Sequence, residues 1–394
     1  MSTRAEPLGG PIFTRAFLVL LAFGLIGLGL IGIRFFFGLA PISNLSDGYP
    51  WGIWKPLNVV IATGIGAGGY AMALVVYVFN RGKYHELVRP ALLASALAYA
   101  IGGTSVMVDL GRWWNVWRLP LVWLWNGHSV LLEVSICVIT YSIVLWVEVS
   151  PAFWDRLKGN QTLAGRFARW FGPRLQKALP FVIALGVLLP TMHQSSLGGL
   201  FMVSTYLHPL WHSGFLPLLF LISCLVMGYS GVVIQDGLTR LILGRPQENE
   251  LLPRLSRLPP WLVLAYLALR FGDLAFKGRL GLLLNTDRFA FFFWVEIGLA
   301  LAGSALLLGE EHRRNPGRRF LAAMMLILFG ALYRFDTYLI GIVPRGDWHY
   351  FPSVGEIFVS LGLWALAGCV FMVVVKRFPV LAAGPPHKRK LAHA

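Results

Sequence analysis

Two acidic residues stand beside long apolar runs in the segment TSVMVDLGRWWNVWRLPLVWLWNGHSVLLE, residues 104–133. Asp109 ends the first run, and Glu133 lies about two helical turns into the second, which begins near Asn126. A carboxylate is costly in lipid, so by default such a residue faces a polar site inside a helical bundle. We expect Glu133 to be buried and to carry protons, with Asp109 as a second acid of the same site.

The other residues expected to belong to this site are polar or aromatic and flank the ends of apolar runs. His193, in the run LLPTMHQSS, can donate a hydrogen bond to a carbonyl group of a ligand. Five further residues are expected to line the site: Arg112, Trp113, Asn126, His128 and Gln194.

Each of the three strongest candidates also has a purely structural alternative. Glu133 could form a hydrogen bond across helices that serves packing alone. Asp109 could form an ion pair with Arg112, about one turn further on. His193 could satisfy an interhelical hydrogen bond without touching a ligand.

The amino-acid composition indicates which kind of structure holds these residues. Of the 394 residues 57% are hydrophobic and 13% are charged, and the mean hydropathy is +0.66. Several apolar runs exceed the ~18 residues that indicate a transmembrane helix, and they lack the alternation typical of a membrane β-barrel. We therefore predict an all-α integral membrane protein. About ten spans are expected, near 16–38, 53–79, 91–111, 126–149, 176–196, 212–243, 260–276, 288–308, 319–341 and 354–376.

The net charge of +16 reflects membrane topology rather than nucleic-acid binding, because the basic residues lie in loops that alternate from side to side. The positive-inside rule places both termini in the cytoplasm. The loops on the other side are poor in lysine and rich in Trp, Pro, Tyr and Gly, which favours both an interfacial belt and a docked partner. These periplasmic loops are 39–52, 112–125, 197–211, 277–287 and 342–353.

A weak internal repeat accompanies these spans. Asp109 precedes Glu133 at nearly the spacing at which Asp273 precedes Glu296, four spans later. The pattern favours two side-by-side four-helix bundles plus two further helices in a single membrane domain, 1–394. The predicted parts are a cytoplasmic tail 1–15, a first bundle 16–149 with the site, a second bundle 176–308, two helices 319–376 and a basic tail 377–394. Further charged residues are expected to pair as Arg334 with Asp336 and Arg270 with Asp273.

The numbers and positions of the cysteines and histidines indicate which cofactors the chain could bind. The three cysteines fall singly in apolar runs, so we expect no iron–sulfur centre, and no His/Cys/carboxylate spacing predicts a metal site. Because a b-type haem takes two histidines on facing helices at membrane depth, we also expect no haem.

Several long runs carry a resemblance to a known family. They are LNVVIATGIGAGGYA, VYVFNRGKYHELVRPALLAS, DLGRWWN, HSVLLE, ALGVLLPTMHQSS, LRFGDL, FWVEI and YFPSVGE. The chain resembles the NrfD/polysulfide-reductase membrane subunits, and within them those of hydrogenase-2-type nickel–iron hydrogenases. One departure is His128, which stands where the family pattern has an asparagine.

This resemblance implies an anchor in the bacterial inner membrane that takes electrons from a periplasmic iron–sulfur subunit and reduces menaquinone or ubiquinone. Large and small nickel–iron hydrogenase subunits would complete a hydrogen:quinone oxidoreductase on the periplasmic face. The resemblance also implies that Glu133 is the carboxylate needed for quinone-linked proton transfer. Asp109, Arg112, His193 and Gln194 would be further site residues.

Three alternatives stay open. The chain could serve another periplasmic oxidoreductase of the same family. It could be a passive anchor, while a separate subunit meets the quinone. It could also be a proton-coupled transporter, since buried carboxylates and repeats occur in that class too.

Overall fold

The computed structural model describes residues 5–157, 161–244 and 251–382, and the ends of both predicted tails, 1–4 and 383–394, lie outside this part. Its helices follow the apolar runs, which confirms the predicted all-α membrane fold. They are α1 Arg15–Phe37, α2 Lys55–Val78, α3 Val88–Asp109, α4 Val130–Leu157, α5 Leu163–Gly199, α6 Leu216–Leu243, α7 Leu258–Phe276, α8 Arg288–Leu308, α9 Pro316–Ile340 and α10 Val354–Arg377.

Nine of these helices, counted within the described ranges, are long and apolar enough to cross a membrane, and α7 is the exception. It has 19 residues but includes two prolines near its start and the charged residues Arg270 and Asp273, which lower its mean hydropathy. The predicted span 260–276 therefore exists as a helix, with a weaker apolar signal than the others.

Short segments connect the long helices. Two further α-helices, Leu251–Leu255 and Glu310–Arg314, lie in loops. The 3₁₀ turns are Gly82–Leu87, Trp113–Arg118, Val122–Leu124 and Leu280–Leu284. Helix α2 begins and ends with π-helical turns, Lys55–Ile61 and Leu74–Val78, and α9 ends with another, Asp336–Ile340. Such turns often occur at functional sites because they redirect side chains.

The two chain ends meet on one side of the bundle. Strand β1, Ala5–Glu6, pairs antiparallel with β2, Leu381–Ala382, so that Ala5 faces Ala382. We call this side the terminal face and the other side the opposite face. The predicted periplasmic loops lie on the opposite face, where Arg279 donates hydrogen bonds to the carbonyl oxygens of Pro209 and His212, both at 2.9 Å.

Helix α1 packs chiefly along α10. A Cβ atom at Gly27 would lie only 2.8 Å from the Cα of Gly362, so the two glycines let the backbones approach closely, as small residues do between membrane helices. The predicted grouping 16–149 set α1 with the next three helices. In the structure α1 and the last helix instead form a pair beside the other eight.

Candidate functional site

Glu133 lies in the first turn of α4 and is exposed, not buried. The prediction placed it deeper because the apolar run was taken to start helix at Asn126. Residues 126–129 form a turn instead, and the helix begins at Val130. The Ser196 hydroxyl on α5 donates a hydrogen bond to Oε1 of Glu133 at 2.7 Å, so a bond across helices does form, at the rim of the bundle.

His193 and Gln194 lie deeper on α5 and are fully buried. His193 Nε2 is 2.9 Å from the Tyr99 hydroxyl of α3 and 3.0 Å from Gln194 Nε2. Gln194 Nε2 also donates to Thr63 Oγ1 of α2 at 3.2 Å. The structure thus brings this predicted pair into one polar network, together with two residues that the sequence did not single out.

Arg334 of α9 closes the network on its other side. This fully buried guanidinium donates to Gln194 Oε1 at 3.0 Å and to Ser223 Oγ of α6 at 2.8 Å. A Cβ atom at Gly64 would lie 3.1 Å from Arg334 Nε, so the glycine leaves room for the guanidinium. The predicted pairing of Arg334 with Asp336 is wrong, because Arg334 is directed toward the α5 side of the bundle.

Asp109 is the last residue of α3 and is held at the opposite face by two basic side chains. Its carboxylate lies 3.4 Å from Lys55 Nζ at the start of α2. Arg34 of α1 is buried and donates hydrogen bonds to the main-chain oxygens of Val108 and Leu110 at the end of α3. The alternative of an ion pair between Asp109 and Arg112 is wrong, since Arg112 is exposed and the described partner of Asp109 is Lys55.

The loop that contains the remaining predicted residues lies on the opposite face. Trp113 packs edge-on against Phe35, with ring centroids 5.0 Å apart, and the Asn126 side-chain oxygen accepts a hydrogen bond from the His128 amide at 3.1 Å. In the part of the chain that the structure describes, no hydrogen bond joins these residues or Arg112 to His193 or Gln194. The predicted site residues therefore fall into separate groups.

A second buried polar cluster lies among α7, α8 and α9. Glu296 is fully buried and accepts hydrogen bonds from the Tyr266 hydroxyl at 2.6 Å and from Trp211 Nε1 at 3.3 Å. Asp273 pairs with Lys277 at 3.0 Å, so its predicted pairing with Arg270 is wrong. The guanidinium of Arg270 instead lies over aromatic rings, those of Phe293 and Tyr333.

Comparison with known proteins identifies the family. Residues 42–342 match the family model described as polysulphide reductase, NrfD. The chain belongs to the NrfD family. It is 37% identical over 393 residues to the "Probable Ni/Fe-hydrogenase 2 b-type cytochrome subunit" of Escherichia coli K12, covering 99% of this chain and 97% of that one. It is 22% identical over 377 residues to the "Menaquinone reductase, integral membrane subunit" of Nitratidesulfovibrio vulgaris Hildenborough, covering 89% and 87%.

A third relative, a selenate reductase subunit of Mesobacillus selenatarsenatis, is 25% identical over 429 residues, with 96% of this chain and 95% of that one covered. These relatives are named as subunits of redox enzymes, and the chain is accordingly a multi-pass membrane subunit of a respiratory oxidoreductase complex. It is a part of such an enzyme complex.

The name of the E. coli relative corrects one prediction for this NrfD chain. A b-type cytochrome holds haem, so the expectation of no haem, drawn from the histidine count, is contradicted. Among the described residues, His193 is the one histidine fully buried in a spanning helix, and its Nε2 already contacts Tyr99 and Gln194. These residues do not fit ligation by two facing histidines.

Proposed function

We propose that this NrfD subunit passes electrons from a partner iron–sulfur subunit to a quinone at the opposite face, and that Glu133 handles the protons. The names of two relatives, a nickel–iron hydrogenase subunit and a menaquinone reductase subunit, support hydrogen as the source of electrons and menaquinone as their acceptor. The basic loops favour an orientation in which the opposite face meets the periplasm across the inner membrane.

The observation that carries the proposal is the exposed carboxylate of Glu133. The same helix presents Leu131, Ile139 and Ile143 outward, with 56%, 48% and 60% of their surface exposed, which is typical of a lipid-facing helix. A carboxylate on such a surface is costly unless something polar covers it. Ser196 supplies one hydrogen bond. A quinone head group that enters from the bilayer at this rim would meet the carboxyl group directly.

The chemistry requires two electrons and two protons at one place. The electrons come from the iron–sulfur subunit on the opposite face. The Glu133 carboxyl group donates a proton to one ring oxygen and is reprotonated from water at that face. Ser196 holds the carboxylate in position.

The buried network lies directly behind this rim. His193 is three residues before Ser196, so the two side chains lie on neighbouring parts of one α5 face. The network of His193, Gln194 and Tyr99 can therefore deliver the second proton from within the bundle.

The tryptophan loop provides a surface for the electron donor. Trp114, Trp117 and Trp123 are 57%, 60% and 77% exposed, and Arg112 and Arg118 lie among them. Tryptophan and arginine are the residues that most often dominate the binding energy of protein interfaces. We place the iron–sulfur subunit here, at the face that also carries Glu133, which shortens the path of the electrons to the quinone.

The decisive experiment replaces Glu133 by glutamine in the assembled complex. Glu133→Gln keeps the size and the Ser196 hydrogen bond but removes the ionisable carboxyl proton. We expect hydrogen oxidation with an artificial dye to be unchanged and hydrogen-to-quinone turnover to be lost, by about a hundredfold or more, as for other proton-transfer groups.

The matched control is Asp347→Asn, a change to an exposed acid of another opposite-face loop. It should leave both activities intact. Full quinone turnover in Glu133→Gln would remove Glu133 from the mechanism. Loss of quinone turnover in both variants would point to the surface charge of this face instead.

A further inference from the structure

A narrow apolar cavity of about 420 Å³ lies in the half of the bundle nearer the terminal face. It separates the α1–α10 pair from α2, α3, α6 and α9. Small residues keep it open, among them Ala94, Ala98, Gly231 and Gly368. Along α3 it extends from Ala91 to Ile101, which is about 15 Å at 1.5 Å per residue. That length matches half of the ~30 Å hydrocarbon core, which is the depth of one lipid leaflet.

Two polar residues line this otherwise apolar space, Gln235 and Thr239 of α6. The Thr239 hydroxyl donates to the main-chain oxygen of Gln235 at 2.7 Å, within its own helix. Among the described residues the Gln235 side-chain amide has no hydrogen-bond partner. A free amide in an apolar cavity needs a polar group from the molecule that fills it.

The depth of Gln235 identifies that group. Helix α6 has 28 residues and is about 42 Å long, so it exceeds the ~30 Å core by about 12 Å. Gln235 lies eight residues before the end of α6 at Leu243, also about 12 Å, which places it near the boundary between hydrocarbon and head groups. The ester carbonyls of a phospholipid lie at this depth.

Positive charge lies just beyond the amide. Arg240 is five residues further along α6, about 7.5 Å nearer the terminal face, and Arg15 begins α1 across the cavity. Neither arginine has a partner among the described residues. Asp236, which follows Gln235 on α6, interacts electrostatically with Arg319 and offsets the positive charge of that residue. The rim is thus basic, at the height where a lipid phosphate would lie.

We infer that this cavity binds one acyl chain of an anionic phospholipid, with an ester carbonyl at Gln235 and the phosphate at Arg240. The chain fills the space between the α1–α10 pair and the body of the bundle, so the lipid joins the two. A quinone tail would fill the same volume but has no phosphate to meet the arginine.

The test is to purify the complex, incubate it in nanodiscs of phosphatidylglycerol or phosphatidylcholine, and count the bound lipids by native mass spectrometry. We expect the wild type to retain one bound phosphatidylglycerol. In Arg240→Gln the occupancy of this lipid site should fall about tenfold, because a hydrogen bond to a charged group is lost. Ala94→Leu should displace the lipid by filling the cavity. Arg166→Gln is the control, because it removes an exposed arginine elsewhere on the terminal face.

Equal retention of phosphatidylcholine by the wild type would overturn the inference, and so would a co-purified quinone in place of the phospholipid. Unchanged phosphatidylglycerol occupancy in Arg240→Gln would also overturn it. If Ala94→Leu fails to assemble, the Arg240→Gln comparison decides the outcome alone.

Discussion

Replacing Arg334 by leucine should open the bundle where α5, α6 and α9 meet. Arg334 donates charged hydrogen bonds to Gln194 Oε1 at 3.0 Å and to Ser223 Oγ at 2.8 Å, and all three side chains are fully buried. A hydrogen bond to a charged group contributes about 1.5–3 kcal/mol. Loss of both should therefore reduce the free energy of local opening by about 3–6 kcal/mol. The network that holds His193 and Tyr99 would lose its anchor on α9.

Cys224 offers a local assay for this opening. It is adjacent to Ser223 and fully buried, whereas Cys369 is buried at a distance, in the α1–α10 contact. Labelling of Cys224 by a small maleimide requires local opening. Because about 1.4 kcal/mol changes an equilibrium tenfold, the labelling rate of Cys224 should rise by roughly two to four orders of magnitude in Arg334→Leu. Labelling of Cys369 should stay at its wild-type rate.

Two controls separate charge from geometry. Arg334→Lys keeps the charge but loses the planar fork, so its Cys224 labelling should fall between the wild type and the leucine variant. Arg118→Leu removes an exposed arginine from the opposite face and should leave the Cys224 labelling rate of the isolated subunit unchanged. An unchanged Cys224 rate in Arg334→Leu would refute the reasoning. An equal rise at Cys224 and Cys369 would refute it too, because it would indicate global unfolding.

Three further predictions rest on single contacts. Tyr266→Phe removes the 2.6 Å hydrogen bond to the buried Glu296 carboxylate and should lower the unfolding free energy by about 1.5–3 kcal/mol in a denaturation titration. Gly362→Val puts side-chain atoms where a Cβ would already lie 2.6 Å from the Gly27 Cα, so overpacking should cost about 1–3 kcal/mol and lower the unfolding midpoint. At the start of α8 the Ala290 amide donates a hydrogen bond to the Asp287 carboxylate and lowers the pKa of that group below its usual 3.8. This cap therefore stabilises the fold above pH 3.8, and the stabilisation is lost as the pH falls through the lowered pKa. Asp287→Asn should flatten the acid side of a plot of unfolding free energy against pH.

The sequence predicts the helices well but not their rotation. Hydropathy locates an apolar run because every residue of the run contributes, so most spans are found to within a few residues. Helix α5 is the exception at its start, which lies at Leu163 and not near the predicted 176. Which side of a helix faces the bundle depends on packing against neighbours. Glu133 illustrates the difference. Its run is found, but its outward direction and its place in the first turn depend on where α4 starts, at Val130.

Partners distant in sequence are the other part that could not be predicted. Arg334 and Gln194 are 140 positions apart, and no local pattern joins them. Closeness in sequence favoured Asp336 as the partner, because it is two residues from Arg334. In a helix, however, residues two apart point in different directions, and the guanidinium reaches α5 and α6 instead. The available signal was composition: Tyr99 is the one polar side chain in the run ALAYAIGG.

The repeated acids in the two halves of the bundle have different surroundings. In each half the earlier acid is paired with a lysine, Asp109 with Lys55 at 3.4 Å and Asp273 with Lys277 at 3.0 Å. The later acids differ. Glu296 is fully buried and accepts two hydrogen bonds, whereas Glu133 is exposed with Ser196 as its donor. A closed, satisfied carboxylate stabilises a fold, and an open one can exchange protons with a ligand. This contrast favours quinone chemistry in the half that contains Glu133 and a structural role for its counterpart.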